Sequence, residues 1–334
     1  MFKLPDTVKA YGNPAKLAAE ADIDLVVCCT RVDIHFPTVE PSLRAGKAIF
    51  VEWPLTESLA KAIELTKGEK IPNSIIGLQG RVSPITLRIK GILAAGTIGK
   101  VLSSDVRSFG SLLPRDTLPE ALTYFADRKV GGNPINIENG HTLDYIHEVL
   151  GEFGSFSSRM QIQRPSIKII DAQGDVKGEM KNDVPDLLTM HGTLKAREGS
   201  IPIAKNALLS FTFRLGPPFK DEPALTWSIN GEKGELLITI GGKYLHSHVI
   251  DPISIKFHDH TTDAVTELGW DWQDWQKELP VRARIISELY ERYAEWVEGG
   301  KGEIKEGREW PRMEDAVVRM EQFEKIYEVF DSER

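Results

Sequence analysis

Between residues 13 and 95 the apolar positions switch repeatedly between helical spacing and short unbroken runs. Asn13 is placed to cap a helix that Pro14 opens, and Ala15 to Glu20 continues it. Leu25 to Cys29 is then a continuous apolar run of strand length, the pattern expected of a strand buried on both faces of a parallel sheet. Further strands are predicted at Ala48 to Val51 and Ser74 to Leu78. Between them Phe36 to Arg44 and Glu57 to Lys67 read as helices, the second with Leu59, Ala62, Ile63 and Thr66 on one face and Gly68 as its stop. Ser83-Pro84 opens another helix, which Gly96 ends. Strands alternating with helices of this length imply right-handed crossovers and a doubly wound parallel sheet.

From Lys100 onward the pattern becomes period-two alternation broken by turns. Leu208 to Leu215 and Trp227 to Asn230 read as strands, and Gly231 to Gly234 leads by a hairpin into Glu235 to Ile240. Helical spacing returns at the end: Ile285, Leu289, Tyr293 and Trp296 share one face, as do Ala316, Met320, Phe323, Tyr327 and Phe330. The fold class expected is α/β: an incomplete Rossmann-like domain over residues 1–97, then an α+β domain with a large, mostly antiparallel sheet and C-terminal helices over residues 98–334. The first domain reads as incomplete because no Gly-x-Gly-x-x-Gly stands in the first 60 residues, where Gly12 and Gly46 are isolated. A sheet shortened in this way is expected to expose an apolar edge.

The chain's 334 residues carry 41% apolar and 27% charged side chains, enough for two globular domains of about 100 to 200 residues each. The formal charge of -8 argues against direct nucleic-acid binding, which needs a clustered cationic face. No apolar run approaches membrane-spanning length, and the start of the chain has no signal-peptide core, so an intracellular protein, cytoplasmic or nuclear, is expected. The two cysteines, Cys28 and Cys29, are adjacent in an apolar run and read as packing residues.

Ligands of doubly wound sheets lie beyond the carboxyl ends of the strands. Cys29-Thr30 and Glu52-Trp53-Pro54 both fall at such ends, and His35 opens the helix after the first. Thr30, His35, Ala45-Gly46-Lys47 and Glu52-Trp53-Pro54-Leu55 together resemble the glucose-fructose oxidoreductase / inositol dehydrogenase / MocA family. Gly131-Gly132 with Gly140-His141-Thr142-Leu143-Asp144 resembles that family's second catalytic segment. Leu78-Gln79-Gly80-Arg81, Val184-Pro185-Asp186 and Gly192-Thr193-Leu194 draw the likeness closer to the family's fungal galactose-pathway repressor branch.

The resemblance implies NAD or NADP lying across Thr30, His35, Glu52, Trp53, Gln79 and Arg81, with a small polyol, sugar or carbonyl ligand near His141. Arg81 equally fits a structural ion pair. Two departures bear on chemistry. Trp53 stands where the family carries its acid/base lysine, and Ile137 stands where it carries an aspartate, so His141 alone is left of the acid/base set. His141 fits either a general acid/base or a buried polar contact; Tyr124, Tyr145 and His147 are weaker substitutes. Two functions follow as expectations: an NAD(P)-dependent oxidoreductase with altered chemistry centred on His141, or a non-catalytic ligand-sensing regulator that binds a protein partner. A homo-oligomer is expected from the open sheet face.

No metal is expected. His246-Ser247-His248 and His258-Asp259-His260 read as solvated strand faces rather than zinc ligands, and Trp270, Trp272 and Trp275 as packing rather than sugar-stacking residues.

Overall fold

The computed structural model describes residues 8–110, 113–195, 201–241 and 252–334. The first unit runs α1 (Pro14–Ala18), β1 (Leu25–Cys28), α2 (His35–Arg44), β2 (Ala48–Val51), α3 (Leu59–Thr66), β3 (Ser74–Ile76) and α4 (Pro84–Ala94). Its three strands are parallel in the order β1-β2-β3. The predicted punctuation holds: Asn13 Oδ1 accepts from Lys16 N at 2.9 Å, and Lys67 and Gly68 both turn through positive φ after α3.

The second unit begins with β4 (Val101–Gly110) and β5 (Thr117–Pro119), followed by two 3-10 turns and the long α5 (Pro134–Leu150). Then come β6 (Glu152–Gln161), β7 (Ser166–Ile170), β8 (Val176–Lys181), β9 (Leu187–Lys195), β10 (Ile203–Leu215), β11 (Leu225–Gly231), β12 (Gly234–Ile240), β13 (Ile253–Asp259) and β14 (Val265–Glu267). Helices α6 (Asp274–Lys277), α7 (Val281–Glu298) and α8 (Met313–Ser332) close the chain. Eight strands form one sheet in the order β14-β13-β12-β11-β4-β10-β9-β6, antiparallel except where β10 runs parallel to β4. A small sheet β5-β7-β8 stands apart. Alternating strand residues of the large sheet are buried, among them Val106, Trp227, Phe211 and Ile238, which gives it one covered and one open face.

One expectation is corrected. The strand read as buried on both faces is not: Val26 and Cys28 are buried, but Val27 is 48% exposed and Cys29 is also exposed. The cause lies on the face of the sheet that carries Ala48, Phe50 and Ile75, which α7 covers through Ile285, Leu289 and Tyr293. Tyr290 stacks on Phe50 at 5.4 Å, while Val27, beside Phe50 on the edge strand, is left uncovered among the described residues.

Helices α7 and α8, which the sequence division groups with the large sheet, also meet the first one. The face of α7 packs on the first sheet through Ile285, Leu289 and Tyr293, and the segment leading into α8 is bonded to β3. Trp310 Nε1 donates to Ser74 O at 2.9 Å, Ile76 N to Pro311 O at 2.9 Å, and Met313 N to Ser74 Oγ at 3.1 Å. The periodicity of a helix shows that it has a face to bury, but not which sheet receives it.

Candidate functional site

The carboxyl ends of β1 and β2 and the first half of α5 meet around Glu52 and Trp53. Glu52 N continues the ladder by donating to Cys28 O at 3.1 Å, which holds the Glu52 side chain beside Cys29 Sγ, 4.0 Å away. Burial pushes the Glu52 carboxyl up to about 7. The Tyr290 phenol above it is pushed up to about 12, by burial first and then by Cys29 and Glu52.

Trp53 is 5% exposed and joined to Pro54 by a cis peptide. Its indole Nε1 donates to Asn136 O at 2.9 Å, and its rings lie over Gly140. A Cβ at position 140 would overlap the indole, so this approach needs glycine. Phe323 of α8 lies 6.5 Å from the indole, ring to ring. The lysine position of the family is therefore filled by a packed aromatic whose one polar atom serves a backbone carbonyl.

His141 follows Gly140 on α5 and is 6% exposed; burial lowers its imidazole to about 3, so it is neutral across the physiological range. Ile137 lies one turn earlier and is partly buried. His35 is buried, with Nδ1 facing Pro54 O at 3.0 Å and Nε2 facing Thr30 O at 2.9 Å. It fastens the turn after β1 to the turn after β2. Thr30 is exposed, its hydroxyl 3.4 Å from Cys28 Sγ, and Gln79 begins the 3-10 turn after β3.

Arg81 takes the ion-pair alternative. Its guanidinium donates twice to Asp144, at 2.7 and 2.8 Å, and once to Asp315 at 2.7 Å. Burial opposes its charge, but Asp144 and Asp315 more than offset this and hold it firmly cationic. The network runs on through Arg319, whose Nη2 donates to Glu152 at 2.8 Å. The Arg81 donors are engaged by carboxylates from α5 and α8.

A cavity of about 580 Å³ opens beside Trp53, between the turn entering α3, the 128–130 turn, the start of α5 and α8. Of the residues singled out in the sequence as site residues, Trp53 alone lines it. Sequence reasoning missed Glu57, Asn136 and Asp183 on its wall. Met320, Phe323 and Tyr327 were legible as an apolar face, without a sign that they border a cavity. Among the described residues no group of three or more His, Cys, Asp or Glu is placed to hold a metal, and no helix is long and apolar enough to cross a membrane. His246 and His248 lie outside the described residues; His258 Nε2 lies 2.8 Å from Asp263. Trp272 packs in the α7 cluster, as expected.

The fit to a nicotinamide dinucleotide is divided. Strand ends, an exposed Thr30 and a protonatable Glu52 suit the nicotinamide end, whereas residues 8–60 supply no glycine-rich turn for the pyrophosphate.

Residues 4–76 match the model of the oxidoreductase family with the NAD-binding Rossmann fold, and residues 84–240 that of the Gal80p C-terminal domain. Dehydrogenase aclE of Aspergillus oryzae is 30% identical over 322 residues, covering 93% of this chain and 80% of that protein. The galactose/lactose metabolism regulatory protein GAL80 of Saccharomyces cerevisiae is 29% identical over 238 residues, 68% of this chain and only 53% of the regulator, so the chain spans about half of that relative. Among solved structures, a super-repressor mutant of Gal80p from Saccharomyces cerevisiae superposes with a TM-score of 0.78 at 23% identity, over 96% of this chain and 81% of that one. Levoglucosan dehydrogenase in complex with NADH and L-sorbose superposes with a TM-score of 0.70 at 17% identity, over 95% and 80%.

Proposed function

The chain belongs to the glucose-fructose oxidoreductase / inositol dehydrogenase / MocA family, and from that premise we propose that it is a ligand-holding member that does not transfer hydride. The observation that carries this reading is the state of the two groups at the proton-handling positions. Trp53 is packed and has no exchangeable acid proton near neutral pH, and His141 is neutral and desolvated. A bound nicotinamide would supply hydride chemistry, but the substrate hydroxyl must exchange a proton in the same event. Neither residue is poised to do so, and Ile137 adds no carboxylate. What the chain's residues can do is bind and orient: Thr30 and Glu52 at the strand ends, with His35 fixing the two turns that carry them.

In this reading the protein acts as a ligand-sensing regulator, in line with the GAL80 relatives, and occupancy of the site alters binding of a protein partner. The open face of the large sheet, with Leu102, Leu208 and Leu237 exposed, favours a homo-oligomer.

One observation favours an enzyme instead. A carboxyl that titrates near 7 is well matched to general acid/base work, and Glu52 is such a group at the right strand end. Fluorescence titration of the full chain with NADH and NADPH, followed by turnover assays over polyols, aldoses and carbonyl compounds, separates the readings. Saturable binding without turnover is expected. Turnover lost in Glu52→Gln or His141→Ala would establish the enzyme, and failure to bind either dinucleotide would end the ligand-holding reading. Trp53→Lys alone is expected to restore no activity, because position 137 still lacks its carboxylate.

A further inference from the structure

One end of the open face of the large sheet gathers guanidinium groups. Arg107 and Phe109 alternate along β4 with the buried Val106 and Ser108, and Arg214 of β10 lies across from Phe109 in the parallel ladder. Both guanidiniums rest on the Phe109 ring, 5.3 Å from its centre for Arg107 and 4.9 Å for Arg214. Arg115, between β4 and β5, joins them: its Nη2 and the Arg214 Nη2 donate to the same carbonyl, Pro217 O, each at 3.1 Å. The Arg115 stem crosses the turn at Gly216, where φ is +90° and a Cβ would overlap Arg115 Cγ. Three cations are thus seated by an aromatic ring, a carbonyl and a glycine turn.

The carboxylates nearby do not balance them. Arg164, a fourth guanidinium here, is held at 3.0 Å by the buried Asp186. Glu222 lies 3.7 Å from Arg107 with both side chains half exposed, and a pair of that kind contributes little. Neither Arg115 nor Arg214 has an ion pair among the described residues. Burial, then the charges of Arg115, Arg164 and Arg107, lower the Arg214 guanidinium from its ordinary value, whereas the carboxylates around Arg81 raise that one. Like charges held together without a counter-ion repel, and in a chain of net charge -8 their corner of the surface is where an anion is drawn. Phe219, two residues after Pro217 on the same turn, is 78% exposed and offers an apolar contact beside them.

We propose that this corner of the sheet is a binding site for a phosphate dianion, free or carried as the monoester of a small molecule, with Arg115 and Arg214 gripping it and Arg107 beside them. Guanidinium forks match phosphate oxygens in pairs, and two charges on the ligand answer two unpaired guanidiniums. Arg214 stands six residues along β10 from Leu208, about 20 Å from the apolar end of the same face. The site shares no residue with the nicotinamide end and does not depend on a dinucleotide.

Calorimetric titration of the full chain at fixed ionic strength with inorganic phosphate, phenyl phosphate and acetate tests it. Phosphate is expected to bind at least about tenfold more tightly than acetate, the margin of one more hydrogen bond between charged groups. Arg115→Gln should weaken phosphate by about tenfold and Arg107→Gln by about threefold. Arg107 donates no hydrogen bond among the described residues, so its variant should keep the thermal midpoint of the parent chain. Lys256→Gln makes the same change of charge on β13 of the same sheet and should leave binding unchanged. Phenyl phosphate binding more tightly than phosphate, with the gain lost in Phe219→Ala, would make the ligand a monoester; equal or weaker binding would make it the free ion. Phosphate that binds no better than acetate or not at all, indifference to both arginine variants, or an equal loss in Lys256→Gln would overturn the proposal.

Discussion

Helix α5 passes through two buried environments that treat charge in opposite ways. Its C-terminal half carries Asp144 and Glu148 into a network with Arg81, Lys90, Asp315 and Arg319, where the carboxylates hold Arg81 firmly cationic although burial pushes the Asp144 carboxyl upward. Its N-terminal half brings Gly140 and His141 against Trp53, where the imidazole is neutral and the indole carries no charge. The difference shows that the scaffold is not averse to buried ions. Trp53 and His141 are uncharged at the position where the resemblance expects proton handling, and the charge at Arg81 is kept where α5, α8 and the turn after β3 are joined.

The largest effect is expected from breaking the charged half. Arg81→Met leaves Asp144 and Asp315 without the cation they share, and should cost about 3–5 kcal/mol in urea unfolding. A loss within about 0.5 kcal/mol, the range of ordinary surface substitutions, would mean the network contributes little. Next comes the packed half. Gly140→Ala forces a methyl into the indole and should cost about 1–3 kcal/mol. In a Trp53→Ala background most of that cost should vanish, and simple additivity would break the claim that glycine is there for the tryptophan.

The effects that vanish at one end of the pH range come last, and there Glu52 and His141 should pull in opposite directions. The folded Glu52 titrates near 7 and its unfolded counterpart near 4.5, so the folded state binds the proton more tightly and stability falls as pH rises through that window. Glu52→Gln should therefore gain about 1–3 kcal/mol at pH 8 and little at pH 4.5. The folded His141 titrates near 3 and the unfolded near 6.5, so its contribution is present above 6.5 and is lost as pH falls. His141→Gln should flatten the acid limb by about 1.4 kcal/mol per pH unit between those values. Unfolding curves of the two variants across pH 4 to 8 read both slopes.

The charged half was the harder to foresee. Strands and helix ends of the first unit follow from local signals, such as Asn13-Pro14 and the apolar run at Ile49-Phe50-Val51, and the structure places them within a few residues of expectation. Arg81 has partners 63 and 234 residues away, and no local pattern identifies them. His35 was legible as a residue near the strand ends, but its partners Thr30 O and Pro54 O are backbone atoms that any residue could supply. Val27 misled because a continuous apolar run looks the same on an interior strand as on an edge strand. Trp53 was legible as a departure in a recognisable motif; that Gly140 makes room for it required the fold.

Deuterium transfer tests the central claim most directly. The full chain, in excess over NADH deuterated at C4, is incubated with a panel of aldoses, ketoses and carbonyl compounds, and products are weighed by mass spectrometry. Saturable NADH binding with no deuterium in any product is the predicted result. Deuterium appearing in a reduced product, and disappearing from it in His141→Ala or Glu52→Gln, would contradict the account.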